Sequence, residues 1–178
     1  MKAFISTLLA SLTIAAPAMA APLPADHQRF VDTMVNDGVT IMVNEPAEIC
    51  YDDTDVNGGY VVYEGDRYLV VCQDNRTTSD VTNWTANDLD TIRHEGFHII
   101  QDCMAGTKSD SVFDTVFTTQ EEVIDALGVE QAMDIMSTYA QAYEKDRHGD
   151  IKYEIEAFYA ARDYSATELN SLYTQYCM

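Results

Sequence analysis

The sequence predicts an α+β domain, a small antiparallel β-meander followed by a helical half. Three observations carry that prediction. Short runs rich in Val, Ile and Tyr, punctuated by Asn57-Gly58 and Gly65-Asp66, crowd residues 40–72. From residue 85 onward the apolar residues recur at helical spacing. A chain of 178 residues, 47% hydrophobic and 22% charged, suits one domain with a real core and excludes wholesale disorder.

The first twenty residues stand apart from the fold. Lys2 supplies a short positive start, Phe4 to Ala16 is almost wholly apolar, and Ala18-Met19-Ala20 is a small-x-small cleavage site. Residues 1–20 therefore read as a secretory signal peptide and residues 21–178 as a single exported domain, periplasmic or extracellular. Within it, Ala25 to Asn36 is an amphipathic helix with Phe30, Val31, Met34 and Val35 on one side. Thr40 to Val43, Glu48 to Tyr51, Gly59 to Tyr63 and Arg67 to Cys72 are the strands, and Asp74 to Thr85 is a polar connection. Thr85-Ala86-Asn87-Asp88 has the form of a capping box with Asp in the place of Glu, opening a helix to Cys103. Helical patterns follow at Thr119 to Leu127, Val129 to Lys145, Ile151 to Tyr164 and Thr167 to Tyr176.

Charge narrows the partners. Ten Lys and Arg against 30 Asp and Glu give a net charge of -20, which repels phosphate backbones and anionic membrane surfaces. The expected mature protein is a soluble monomer that binds no nucleic acid and no membrane. Cys50, Cys72, Cys103 and Cys177 form an even set in a compartment that permits disulfides. The first two lie in strand-like runs of one meander and the last two near the ends of helical runs, so Cys50–Cys72 and Cys103–Cys177 are the expected pairs. Asp53-x-Asp55-x-Asn57-Gly58 with Glu64 at the twelfth position matches a calcium-loop pattern. Its flanks read as strands rather than helices, so a hairpin turn at Asn57-Gly58 is the expectation there.

The chemistry is concentrated in His94-Glu95-Gly96-Phe97-His98. Residues i and i+4 share a helical face, so both imidazoles can reach one ion, while Glu95 projects beside them as a general base for water. Zinc suits two imidazoles and a carboxylate with a fourth position left open. This HExxH arrangement resembles the zincin metallopeptidases. The metzincin continuation fails, because Gln101 and Met104 stand where that branch has Gly and His. Gly106 to Phe113 is similar to the aspzincin segment, but Asp110 arrives one residue late. Glu154-Ile155-Glu156-Ala157 fits the gluzincin context of a Glu on a later helix.

Two glutamates sit there, and only one can face the ion, since i and i+2 are about 200° apart on a helix. Glu154 falls in an arc with Tyr153, Ala157, Phe158, Ala160, Ala161 and Tyr164, whereas Glu156 falls beside Lys152 and Asp163 on the polar side. Glu154 is therefore the chosen third ligand with His94 and His98, and Glu156 and Asp110 are its alternatives. The resemblance implies an active-site helix beneath a small sheet, a second ligand helix, and an edge strand that aligns peptide. It also implies an oxyanion-stabilising Tyr or His, for which Tyr139, Tyr143, Tyr153 and His148 are candidates. Asp102 reads as a solvated residue at the helix end and His27 as an exposed histidine. The expected function is zinc-dependent hydrolysis of peptide or protein substrates. The alternatives are a non-catalytic metal-binding protein and a disulfide-stabilised acidic envelope protein.

Overall fold

The computed structural model describes residues 22–51, 56–106, 108, 110, 112–117, 119–143 and 151–178, with the side chains of 140–143 excepted. The expected leader at residues 1–20, Asp53, Asp55 and His148 lie outside the described residues, as does the side chain of Tyr143. The described chain is α+β, a three-stranded sheet with seven helices.

Helix α1 (Ala25–Asn36) has the predicted bounds and buries His27, Phe30, Val31 and Met34. Strand β1 (Val39–Val43) follows directly. The predicted strand at Glu48 to Tyr51 is instead a short helix, α2 (Ala47–Cys50). Its cause is local. The Pro46 carbonyl accepts the N–H groups of Ile49 and Cys50, both at 3.1 Å, and Ala47 accepts that of Tyr51 at 2.8 Å. Pro46 and Ala47 favour the start of a helix, and Glu48 lies at its positive end.

Strands β2 (Gly58–Tyr63) and β3 (Asp66–Val71) form an antiparallel hairpin. Its two-residue loop is Glu64-Gly65, with φ of 53° and 88°, the double positive φ that suits the twist of paired strands. The sheet order is β1-β3-β2, and β1 runs parallel to β3, from Val39 opposite Arg67 to Val43 opposite Val71. The sheet is thus mixed rather than an antiparallel meander. With the second predicted strand folded as α2, β1 has no antiparallel neighbour and takes the free edge of β3. Asn57-Gly58 is correspondingly not a hairpin turn. Gly58 begins β2 where a Cβ would run into the Val70 carbonyl and into Thr91 at 2.6 Å.

Helix α3 (Ala86–Met104) is central to the molecule and opens with the predicted capping box. The Thr85 hydroxyl accepts the Asp88 N–H at 3.1 Å, and the Asp88 carboxylate accepts the Thr85 N–H at 2.8 Å. Ile92, Phe97, Ile99 and Ile100 join Phe30, Leu69, Leu169 and Tyr173 in the main core. Helices α4 (Gln120–Leu127), α5 (Val129–Tyr143), α6 (Ile151–Asp163) and α7 (Ala166–Cys177) complete the chain. A smaller core of Val123, Leu127, Ile135 and Ile155 binds α4 and α5 to α6. No helix among the described residues is long and apolar enough to cross a membrane.

Both expected disulfides are present, Cys50–Cys72 across 22 residues and Cys103–Cys177 across 74. Loop-closure entropy gives them about 3 and about 4 kcal/mol respectively. The second ties the C-terminus to the end of α3.

Gly96 of α3 packs directly against Phe30 of α1. A Cβ there would meet Phe30 Cε1 and Cζ at 2.6 Å each, and the fully buried Phe30 ring has no room to retreat. Gly96→Ala should therefore destabilise the protein by about 1–3 kcal/mol despite the better helix propensity of Ala. Urea midpoints test this; an unchanged or higher midpoint would mean that the α1–α3 contact yields easily.

Candidate metal centre

From Thr91 to Cys103, α3 is buried at every position except Arg93. That stretch includes His94, Glu95, His98, Gln101 and Asp102. Polar groups withdrawn from water need partners, and theirs come from α6, from Tyr60 of β2 and from within α3 itself.

The sequence-chosen residues converge. His94 Nε2 lies 3.1 Å from His98 Nε2 and 3.2 Å from Glu154 Oε2, and His98 Nε2 lies 3.4 Å from the same oxygen. Three donor atoms thus form a near-equilateral triangle. Tetrahedral ligands at the usual 2.0–2.1 Å from zinc stand about 3.3 Å apart, so this donor set fits such an ion. The ligand atoms of His94, Glu95 and His98 also lie within 4.8 Å of one another, a group that can hold a metal ion. Asp110 is exposed and accepts the Val112 N–H at 3.0 Å.

Electrostatics follow from the same packing. Burial pushes the Glu95 carboxyl up, against the opposing pull of the two histidines. For His98, burial alone would favour the neutral ring, but the Glu154 charge and hydrogen bond outweigh it and raise the imidazole to about 9. Glu154 is the converse. Burial disfavours its charge, yet His98 and His94 hold the carboxyl well below the usual carboxylate range. Without a cation, both shifts favour a proton held between His98 and Glu154.

Glu156 does not sit on a solvated face. It is fully buried and accepts four hydrogen bonds, from Gln101 Nε2 (3.0 Å), Val116 N (3.1 Å), Phe117 N (3.2 Å) and Gln120 Nε2 (3.0 Å). The face argument assumed one buried side for α6, but residues 112–117 and Gln120 cover the other. Substitution of Glu156 is consequently not neutral. Asp102 is likewise buried, accepting the Tyr60 hydroxyl, with burial raising its carboxyl. His27 is buried too, its Nε2 2.9 Å from Arg93 and its Nδ1 3.1 Å from Asp26. Its place three residues before Phe30 and seven before Met34 already put it on the buried face of α1.

Sequence reasoning passed over several neighbours. Gln101 Oε1 lies 2.7 Å from His98 Nδ1. The Phe113 ring stacks on His98 at 5.4 Å and on Tyr60 at 6.2 Å, and Phe158 meets His94 edge-on at 4.5 Å. Gln101 carried a readable signal, three residues after His98 on the same helical face; Phe113 carried none. Among the oxyanion candidates, the Tyr153 hydroxyl donates to the Phe113 carbonyl at 2.6 Å, and the Tyr139 ring packs on Phe158 at 6.0 Å. The chain matches no protein-family model, no curated protein and no solved structure.

The ion pair makes metal-free stability depend on pH with a definite sign. His98, raised from an ordinary 6.5 to about 9, stabilises the fold fully below 6.5 and loses that contribution as pH rises to 9. Glu154, lowered from 4.5, contributes above that value and loses its contribution only in stronger acid. With chelator present, the stability advantage of wild type over Glu154→Gln should therefore shrink between pH 6.5 and 9, by up to about 3 kcal/mol. Denaturant melts of the two proteins measure it; a constant difference across that window rules out the ion pair.

Proposed function

We propose that the chain is an exported zinc-dependent peptidase in which His94, His98 and Glu154 hold the ion and Glu95 is the general base. The observation that carries this reading is the triangle of His94 Nε2, His98 Nε2 and Glu154 Oε2, with edges of 3.1, 3.2 and 3.4 Å. Three electron-rich atoms from two helices converge at a separation that a cation relieves. Bound there, zinc would supply a Lewis acid that lowers the pKa of water and polarises a peptide carbonyl.

The chain's own groups do the rest. Glu95 is next to His94, and burial raises its carboxyl, the direction that suits a group exchanging protons with bound water. It would accept a proton from the attacking water and return it to the departing amine. Phe113 and Phe158 flank the two imidazoles and restrict water around them. Strand β2 lies at the edge of the sheet and touches α3, so its outer edge offers an extended peptide a backbone to pair with. An active-site helix under a small sheet, with the third ligand on a later helix, is the zincin-like arrangement that the HExxH resemblance implies. Export is supported by the leader at residues 1–20 and by two disulfides in a short acidic chain.

The two carboxylates should fail differently. Glu95→Gln leaves the three donors in place, so zinc should stay stoichiometric while peptide hydrolysis falls about 10²–10⁴-fold. Glu154→Gln removes a donor, so zinc and activity should be lost together, with some activity recovered in excess zinc. Metal analysis and a peptide-cleavage assay on the same preparations read both. Wild type that holds zinc without turnover would favour a non-catalytic metal-binding protein, and normal hydrolysis by Glu95→Gln would end the proposed mechanism.

A further inference from the structure

We infer that Gln101 is a positioning residue that selects which nitrogen of His98 faces the metal centre, and that α6 sets the direction of its amide. The inference rests on the zinc reading above and deepens it. Gln101 is fully buried, and its Nε2 lies 3.1 Å from the Tyr153 carbonyl and 3.0 Å from Glu156 Oε2. A backbone carbonyl only accepts. Both oxygens of Glu156 already receive backbone N–H groups, Oε2 from Val116 and Oε1 from Phe117, so this carboxylate accepts as well. Reversing the amide would set its oxygen against the Tyr153 carbonyl, leaving two acceptors face to face with no proton between them.

The amide direction is therefore fixed, and Oε1 is the atom turned to His98 Nδ1 at 2.7 Å. An amide oxygen accepts, so Nδ1 carries the hydrogen. In the neutral ring that a metal ion would bind there is one N–H, so Nε2 would present its lone pair to the point shared with His94 Nε2 and Glu154 Oε2. Tyr153, Glu154 and Glu156 all belong to α6. Docking that helix on α3 brings in one ligand and, two residues away, fixes the tautomer of another. His94 has no counterpart to this arrangement, since its buried Nδ1 has no hydrogen-bond partner among the described residues.

The test compares the mature full-length chain, Gln101→Met and Gln101→Glu. Zinc affinity is read by chelator competition and the state of each His98 nitrogen by long-range proton–nitrogen NMR correlation of the zinc-loaded protein. Wild type should show Nδ1 protonated and Nε2 on the metal. Gln101→Met keeps the volume but removes the acceptor, and should weaken zinc binding by about 10–100-fold. Gln101→Glu keeps an acceptor against Nδ1, so it should retain the wild-type tautomer and hold zinc more tightly than Gln101→Met, although its one proton cannot serve both the Tyr153 carbonyl and Glu156. If Gln101→Met fails to fold, the wild-type and Gln101→Glu spectra decide. Zinc bound to Nδ1 in wild type, or wild-type affinity in Gln101→Met, overturns the inference and leaves the zinc reading standing. Wild type that binds no zinc overturns both.

Discussion

The burial of Glu156 is the constraint on which the arrangement of the helical half turns. Removing a carboxylate from water costs several kcal/mol unless its lone pairs are satisfied, and here four donors from three parts of the chain do so. Gln101 comes from α3, Val116 and Phe117 from the backbone after α3, and Gln120 from the start of α4. No two of these segments can separate without exposing part of that charge to an apolar interior. The same hub draws residues 112–117 across α6, which is what lays Phe113 on His98. Ala157, Ala160 and Ala161, all buried, give α6 the close approach to α3 that these hydrogen bonds require.

A central helix with six buried polar residues between Thr91 and Cys103 is an unusual use of core volume. Asp102 Oδ2 is met by Tyr60, while its Oδ1 has no partner among the described residues, and Gln101 is met by His98, Tyr153 and Glu156. The triangle of His94, His98 and Glu154 is different in kind, because three lone-pair-bearing atoms crowd one point and a hydrogen or a cation must lie between them. A proton on His98 relieves that repulsion, and so does a cation. The two would compete for one position, so a metal ion bound there would displace a proton.

The legible parts of the molecule were those where local chemistry and burial agree. Thr85 and Asp88 form the capping box their spacing announced, and the i, i+4 spacing of His94 and His98 places both on one face whatever surrounds the helix. Glu154 was legible because an acid amid apolar neighbours requires a partner. Glu156 was not, because whether a flank of α6 meets water is decided by residues 112–117, some forty positions away in the chain, and amphipathicity along one helix holds no information about them. The strand predicted at Glu48 to Tyr51 failed for a related reason. Ile49 and Tyr51 suit a strand, but Pro46 and Ala47 before them close a helical turn, and the hydrogen bonds of that turn prevail over side-chain preference. Losing that strand also made the sheet mixed, so one local misreading propagated into topology.

The distances within the triangle depend on the rotational setting of α3, and both ends of that helix are pinned. At the N-terminus the capping box is extended by Asp88 Oδ1, which accepts the Asp74 N–H at 2.9 Å and fastens the helix start to the loop after β3. At the C-terminus Cys103, five residues beyond His98, is bonded to Cys177 of α7. A slip of one residue would rotate the face by about 100° and carry both histidines away from Glu154. Gly96 adds a third restraint at mid-helix, since Phe30 fills the space its missing Cβ leaves and so admits only one orientation of that turn. Restraints at the start, middle and end hold the helix in one register, and they do so through covalent, hydrogen-bonded and steric contacts that do not involve the three converging atoms. The site's geometry is thus set by the scaffold, which would keep the reorganisation needed to bind a cation small.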